Sequence, residues 1–335
     1  MHKPPFFKTS AITRRLLSFG LALSAVAGVA GTAHAADFPE RPITLVAPFP
    51  AGGAADVLAR LLGKTLQDQL GQPVIIENKP GAGTAIGAAY VANAKPDGYT
   101  LLISSNSTFT LNPALQTKLS YDAAKGFDAI GIVGSVALAV LVNPKVQATN
   151  LQQLVAAAKA RPDDFVYGSF GNGTSSNFAG AMFNSATGLK MTHIPYKGSA
   201  PLMTDLIGGQ IPISFDTVVA ASQQLKSGKV RVLAVATAKR SALLPDVPTV
   251  AEAGFPGVDM NAWLALVAPR GLPPAVKARL EKALATLMAS PDTQEKMKLA
   301  GFEPGYAAVA DWAGMVTADI AKMKAIAERD QIKVE

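Results

Sequence analysis

The sequence predicts an α/β protein of two lobes, each a mostly parallel sheet flanked by helices, joined by two crossover segments. Three observations lead there. Strand and helix patterns alternate through residues 43–104 and again through 151–237, the order of parallel βαβ units. Two long apolar runs without helical period, FDAIGIVGSVALAVLVNP (127–144) and AWLALVAPRG (262–271), stand where a chain would pass from one lobe to another and return. The 335 residues, even without a leader, exceed the size at which one core usually keeps growing. The expected divisions are a leader over 1–35, a first lobe over 36–140 plus 265–335, and a second lobe over 141–264.

Element by element, ITLVA (43–47) has the β-branched character of a strand and runs into a helix over 54–70 with Val57, Leu58, Leu61 and Leu62 on one stripe. VIIE (74–77) leads through a Gly-rich turn to a helix over 84–93, and YTLLIS (99–104) is the third strand. After the first crossover come a helix over 150–160, strand FVYGS, a helix over 175–187, strand MTHIPY, a helix over 199–208, strand ISFD, a helix over 217–226 and strand VRVLAVAT. The second crossover returns the chain to the first lobe, and the tail from 273 onward reads as helical.

Residues 1–15 carry Lys3, Lys8, Arg14 and Arg15 and no acid; residues 16–33 are apolar, and Ala33-His34-Ala35 satisfies the small-x-small rule. This pattern is expected of a secretory leader cleaved near Ala35/Ala36, with a retained membrane anchor as the alternative. Of 31 Lys and Arg, the leader removes four, leaving 27 against 24 acids, a net charge of +3 rather than +7. No Lys/Arg run points to nucleic acid. With no cysteine, disulfides and thiolate sites are excluded, and His193 is the one imidazole outside the leader. No metal or other cofactor is expected. Export without cysteine suits a bacterial periplasm.

The functional signal lies where strands hand over to helices. Ligands of parallel α/β sheets sit beyond the carboxyl ends of the strands, where helix N-termini offer free N–H groups and a positive dipole end to an anion. PFPAGGAAD (48–56) is such a junction: Gly52 and Gly53 let backbone approach a ligand, or serve only the turn's own geometry. YGSFGNGTSSNFAGAMF (167–183) is a second, with Gly171, Gly173, Thr174, Ser175 and Ser176; one of its hydroxyls is expected to cap the helix. Tyr196-Lys197-Gly198-Ser199 forms a third, where Tyr196 could wall a cleft. Asp216, between strand and helix, is either an N-cap or an acceptor for a ligand. Ser105 and Asn106, in SNST after the third strand, have the same placement.

The chain from about residue 38 to 332 resembles the substrate-binding proteins of tripartite tricarboxylate transporters, also called Bug receptors. The resemblance rests on FPERPITLVAPFPAGGAADVLAR, IIENKPGAGTAIGA, YDAAKGFDAI (with Gly126 where an acid is usual), IPYKGSAPLMTDLIGGQIPISFD and SGKVRVLAVATAKRSALLPDVPTVAEAGFPG. It implies a type II-like periplasmic binding fold that closes on a small carboxylate and delivers it to inner-membrane TctA/TctB-like transporter subunits, as a monomer and without chemistry of its own. Position by position, it implies ligand contacts at Phe49, Ala51, Gly52, Gly53 and Asp56, at Gly171, Gly173, Thr174 and Ser175, and at Asp216. The chain departs from the family at Asn177, often His, at Ala181, often an acid, and at Ala55, often Thr.

Three other readings compete with this one. GAGTAIGAA (81–89) imitates a dinucleotide fingerprint, but Ile86 stands where the third glycine belongs. A hydrolase would need His193 as base, and no G-x-S-x-G elbow is present. A ligand sensor signalling to a two-component kinase would share the receptor's architecture; a ligand response that survives loss of the transporter would single it out.

Overall fold

The structure, a computed structural model, describes residues 1–2, 38–116 and 118–333. The expected leader and its cleavage site lie outside these residues. Pro39–Glu335 forms one compact unit.

Two parallel triads make the framework. In the first, β1 (Ile43–Ala47) lies between β2 (Val74–Asn78) and β3 (Thr100–Ser105). In the second, β5 (Val166–Ser169) lies between β6 (Thr192–Pro195) and β7 (Ile213–Thr217). The crossovers join them antiparallel. The sixteen-residue β4 (Phe127–Val142) pairs with β9 (Asn261–Pro269) as far as Ala137, then with β7 and with β8 (Arg231–Val235) from Leu138 onward. β9 also pairs with β3. The whole is a mixed α/β, two-lobe binding-protein fold in which one apolar strand serves both sheets, as the lack of any period in residues 127–144 requires.

The helices follow the strands: α1 (Ala54–Leu70) and α2 (Ala85–Ala92) in the first lobe, and α4 (Leu151–Ala160), α5 (Ser175–Thr187), α6 (Ser199–Gly208) and α7 (Val218–Lys226) in the second. After β3 the chain enters a π-helical turn over Ser107–Leu111 and a short α3 (Asn112–Leu115), where the sequence shows no clear pattern. The tail forms α8 (Pro274–Ala289), α9 (Pro291–Ala300) and α10 (Trp312–Arg329). α8 and α9 pack on α1. Between α9 and α10 lies a strand absent from the sequence reading, β10 (Phe302–Ala307), paired with β4. Its sequence, FEPGYA, contains Pro and Gly, which an edge strand tolerates and a central one does not.

The first-lobe core centres on Phe109. Its ring is stacked on Trp263 at 5.8 Å and meets the edges of Trp312 at 4.9 Å and Phe127 at 5.8 Å. The π turn, β9, β4 and α10 thus meet at one aromatic cluster, directly after the loop that reaches the site. Among the described residues no helix is long and apolar enough to cross a membrane.

Candidate ligand-binding site

The first junction is built around a buried carboxylate. PFPAGG turns the chain from β1 into α1, with Gly52 at φ +87°, a conformation that costs glycine little and other residues more. Asp56 Oδ2 accepts the Gly52 N–H at 2.9 Å. Asn78 Nδ2 donates to Asp56 Oδ1 and to the Phe49 carbonyl, both at 3.0 Å. Arg60 closes a salt bridge to Asp56 at 2.9 Å from one turn further on. Burial works against the charged form of Asp56, but the bonds from Arg60, Gly52 and Asn78 outweigh it and hold its carboxyl below the usual range. Asp56 is therefore the clamp of the turn.

Four junctions converge on one chamber of about 30 Å³. Gly53, Ala54 and Ala55 reach it from the start of α1, Ser175 from α5, Ser199 from α6 and Thr217 from the residue before α7. Ser105 joins them from the end of β3, and Val136, Ala262 and Leu264 of the crossover strands form an apolar wall. A water needs about 10–15 Å³ on this measure, so the space is that of roughly two waters, the scale of a carboxylate group.

Away from the chamber, α4, α9 and α10 are capped by the side chains of Asn150, Ser290 and Asp311, whereas α2, α3 and α8 have no side-chain cap bond. The N-caps of α1, α5 and α6 are Gly53, Thr174 and Gly198, and none makes a side-chain cap bond. Three sets of first-turn N–H groups lacking intrahelical partners, with their dipoles, therefore point toward the same small space, favouring negative charge there. No Lys, Arg, His, Asp or Glu lines it. The hydroxyl expected to cap α5 does not. Thr174 Oγ1 donates to the Gly171 carbonyl at 2.6 Å, Ser176 Oγ donates to the Phe215 carbonyl, and Ser175 lines the chamber. Of the helices here, α7 alone is capped by its own N-cap residue: Thr217 Oγ1 accepts the Ala220 N–H at 3.2 Å.

The two lobes meet around the chamber. Ser107 Oγ accepts the Ser175 N–H at 3.0 Å. Phe49 meets Phe170 edge to face at 6.0 Å. Gly198 lies so close to Pro50 that a Cβ there would stand 2.5 Å from the proline ring, and its φ of +115° excludes other residues independently.

Of the residues singled out in the sequence, Phe49, Gly53, Ser105 and Ser175 line the chamber. Gly171, Thr174 and Tyr196 line a larger recess of about 520 Å³, with Phe49 and Phe170 common to both spaces. Asp56 and Gly52 are engaged with each other, and Ala51 is exposed. Gly173 abuts Asn112, and Asn106 is buried with Nδ2 on the Asn261 carbonyl at 3.2 Å and Oδ1 without a partner. Asp216 stands behind Ser199 and Thr217 rather than on the wall. Ser199 and Thr217 were legible by the same strand-to-helix rule. Phe170 and the wall residues of β4 and β9 depend on pairings that no local pattern shows.

The model of the tripartite tricarboxylate transporter family receptor matches residues 58–332. This chain belongs to that family. The receptor is similar in structure to periplasmic binding protein BugD, at 34% identity and a TM-score of 0.84, over 89% of this chain and 100% of that one. A protein of R. palustris solved with adipate is similar at 34% identity and a TM-score of 0.85, over 88% of this chain and 99% of that one. MatC from Rhodopseudomonas palustris, with bound malate, is similar at 31% identity and a TM-score of 0.81, over 86% and 99%. The family and these neighbours are solute-binding proteins, and that is the role of this receptor.

His193 of the receptor sits apart from the chamber. Its Nε2 is 2.6 Å from Ser169 Oγ, its Nδ1 is 3.3 Å from Asn177 Nδ2, and its ring stacks on Tyr167. Burial lowers its pKa to about 4. The unfolded chain therefore binds a proton at higher pH than the folded one, so His193 stabilises fully above about pH 6.5 and loses that contribution as pH falls toward 4. Thermal unfolding of His193→Gln is expected to show a weaker fall in melting temperature across that window; an identical fall would reject the assignment.

Proposed function

We propose that this receptor captures a small carboxylate between its lobes in the periplasm and delivers it, as a monomer, to a tripartite tricarboxylate-type membrane transporter. The observation that carries the reading is the convergence of three helix N-termini, none capped by the side chain of its own N-cap residue, on a chamber without charged side chains. Neutral donors and dipoles suit a carboxylate, and adipate and malate are the ligands of two structural neighbours. The chamber takes one carboxylate group at the N-termini of α1 and α5, and the rest of the ligand passes the Phe49–Phe170 pair toward the recess with Tyr196. Asp56 supports the first turn, and Ser105 reads the ligand from the end of β3. The lobes, bounded near residues 140 and 265, hinge on β4 and β9, and ligand stabilises the closed form by differential contact.

A receptor also accounts for His193 better than a hydrolase does. Ser169, its hydroxyl partner, is fully buried, and its Oγ already accepts the Gly171 N–H at 3.1 Å, so it meets no substrate.

Thermal unfolding against mono-, di- and tricarboxylates, aromatic acids, amino acids and sugars tests the reading. A ligand at a hundred times its Kd adds about 2.7 kcal/mol, or about 4 °C for a protein of this size. One carboxylate class is expected to shift the transition. A flat response to every carboxylate, repeated after unfolding and refolding to strip bound ligand, would refute the proposal.

A further inference from the structure

Asp216, in β7, is fully buried. Its Oδ1 accepts the Ser199 hydroxyl and the Thr217 N–H, both at 2.7 Å, while Oδ2 has no partner. Ser199 and Thr217 line the chamber, so the carboxyl group lies immediately behind the chamber wall. Among the described residues no cation pairs with it. The elements packed on β7 are β4, β5, α5, α6 and α7. Over Leu138–Val142, β4 brings only apolar residues, and α5 has no ionisable side chain. β5 brings Tyr167, which stacks on His193. α6 brings Asp205, which accepts the Tyr196 hydroxyl at 2.8 Å. α7 brings Lys226, exposed at its far end, and Arg231 on the neighbouring β8 donates to the Val146 carbonyl. None of these bonds to Asp216.

This arrangement sets what the chamber can offer. A serine hydroxyl has one proton. While Asp216 is ionised, Ser199 gives that proton to Oδ1 and shows the chamber only lone pairs. A ligand carboxylate there would face an acceptor and, behind it, an uncompensated like charge. Protonation of Asp216 removes both obstacles, because the charge disappears and the Ser199 hydroxyl is free to turn toward the ligand.

We propose that Asp216 makes ligand capture proton-coupled: a carboxylate entering the chamber brings about uptake of one proton from solvent, held on the Asp216 carboxyl, and Ser199 switches from acceptor to donor. The inference rests on the carboxylate reading above. Burial already raises the Asp216 carboxyl to about 6, so the free receptor is mostly ionised there at pH 7.5, and the ligand's charge raises it further. The bound state then holds more protons than the free state. Affinity is highest below about pH 6 and falls about tenfold per pH unit above it, until the bound carboxyl itself ionises.

The test is calorimetric titration of the purified protein with adipate and with malate near pH 7.5, in phosphate and in Tris, whose ionisation enthalpies differ. Close to one proton taken up per ligand is expected, with tenfold tighter binding at pH 6.5. In Asp216→Asn the uptake and the pH dependence should both vanish. Binding with no uptake, or with proton release, overturns the proposal and leaves the carboxylate reading standing, and wild-type protein alone suffices for this. Uptake that persists in Asp216→Asn overturns the assignment to Asp216. If no carboxylate of the panel binds at either pH 5.5 or 7.5, the carboxylate reading falls and this inference with it.

Discussion

A Gly53→Val receptor is expected to fold normally and to bind its ligand at least a hundredfold more weakly. Gly53 has φ −76° and ψ 165°, ordinary extended backbone that valine adopts without strain. A Cβ at this position meets its nearest neighbour, the Pro50 carbonyl, at 3.6 Å, a normal contact. The cost falls on the chamber. Gly53 lines a space of about 30 Å³, and two methyl groups at its wall would fill most of the room for a carboxylate and shield the first-turn N–H groups of α1. A hundredfold loss corresponds to about 2.8 kcal/mol, no more than what a few charge-assisted hydrogen bonds supply. Gly52→Val is the informative contrast. Its φ of +87° makes any side chain strained, by about 1–2 kcal/mol, yet a Cβ there meets nothing within 4 Å. That variant should melt earlier and still bind. Calorimetric titration with the ligand selected by the thermal panel, alongside melting temperatures, separates the two. Unchanged affinity in a folded Gly53→Val protein would remove the α1 N-terminus from the binding site.

This contrast also marks how far the site was legible. The neighbouring glycines in PFPAGG announce a strand-to-helix junction near a ligand. Their different duties, Gly52 for a left-handed turn and Gly53 for access, follow from dihedral angles that no pattern encodes. The resemblance implied a ligand contact at Asp56. Its role as a clamp depends on Asn78, 22 residues away and brought alongside by the β1–β2 pairing. The framework was more open to reading, because alternating strand and helix periods are local. β1, α1, α5 and α6 begin and end where the sequence indicates. Where periodicity fails, so does the reading. β10 is an edge strand with Pro304 and Gly305, and the π turn after β3 is held by burial of Phe109 rather than by helix propensity. The chamber's apolar wall is the least legible part. Val136 and Ala262 are one registered pair of the crossover strands, and register between segments more than a hundred residues apart has no sequence signature.

Phe109→Ala is expected to be the most destabilising single change in the first lobe. The ring is fully buried and touches three other aromatic rings, from β4, β9 and α10. Truncating such a residue costs about 3–5 kcal/mol, since the lost apolar contact is joined by a cavity that rigid neighbours cannot refill. With an unfolding entropy near 2.1 cal/mol/K per residue, this amounts to a fall of about 5–8 °C in melting temperature. The chain's two tryptophans, Trp263 and Trp312, both pack on Phe109, so their emission should report the loosened cluster directly. The consequence should reach the ligand as well. Phe109 anchors the turn that follows Ser105 and carries Ser107, whose hydroxyl accepts the Ser175 N–H from the opposite lobe. Trp263 adjoins Ala262 and Leu264 on the chamber wall. Ligand closure should therefore perturb tryptophan fluorescence in the wild type, and Phe109→Ala should weaken binding while remaining rescuable by Phe109→Leu, which refills most of the cavity. A melting temperature within about 2 °C of wild type in Phe109→Ala would mean that the cluster does not hold the turn. The rigidity of the site on its first-lobe side would then have to come from the hydrogen bonds of Ser104 and Thr84 to Thr108 instead.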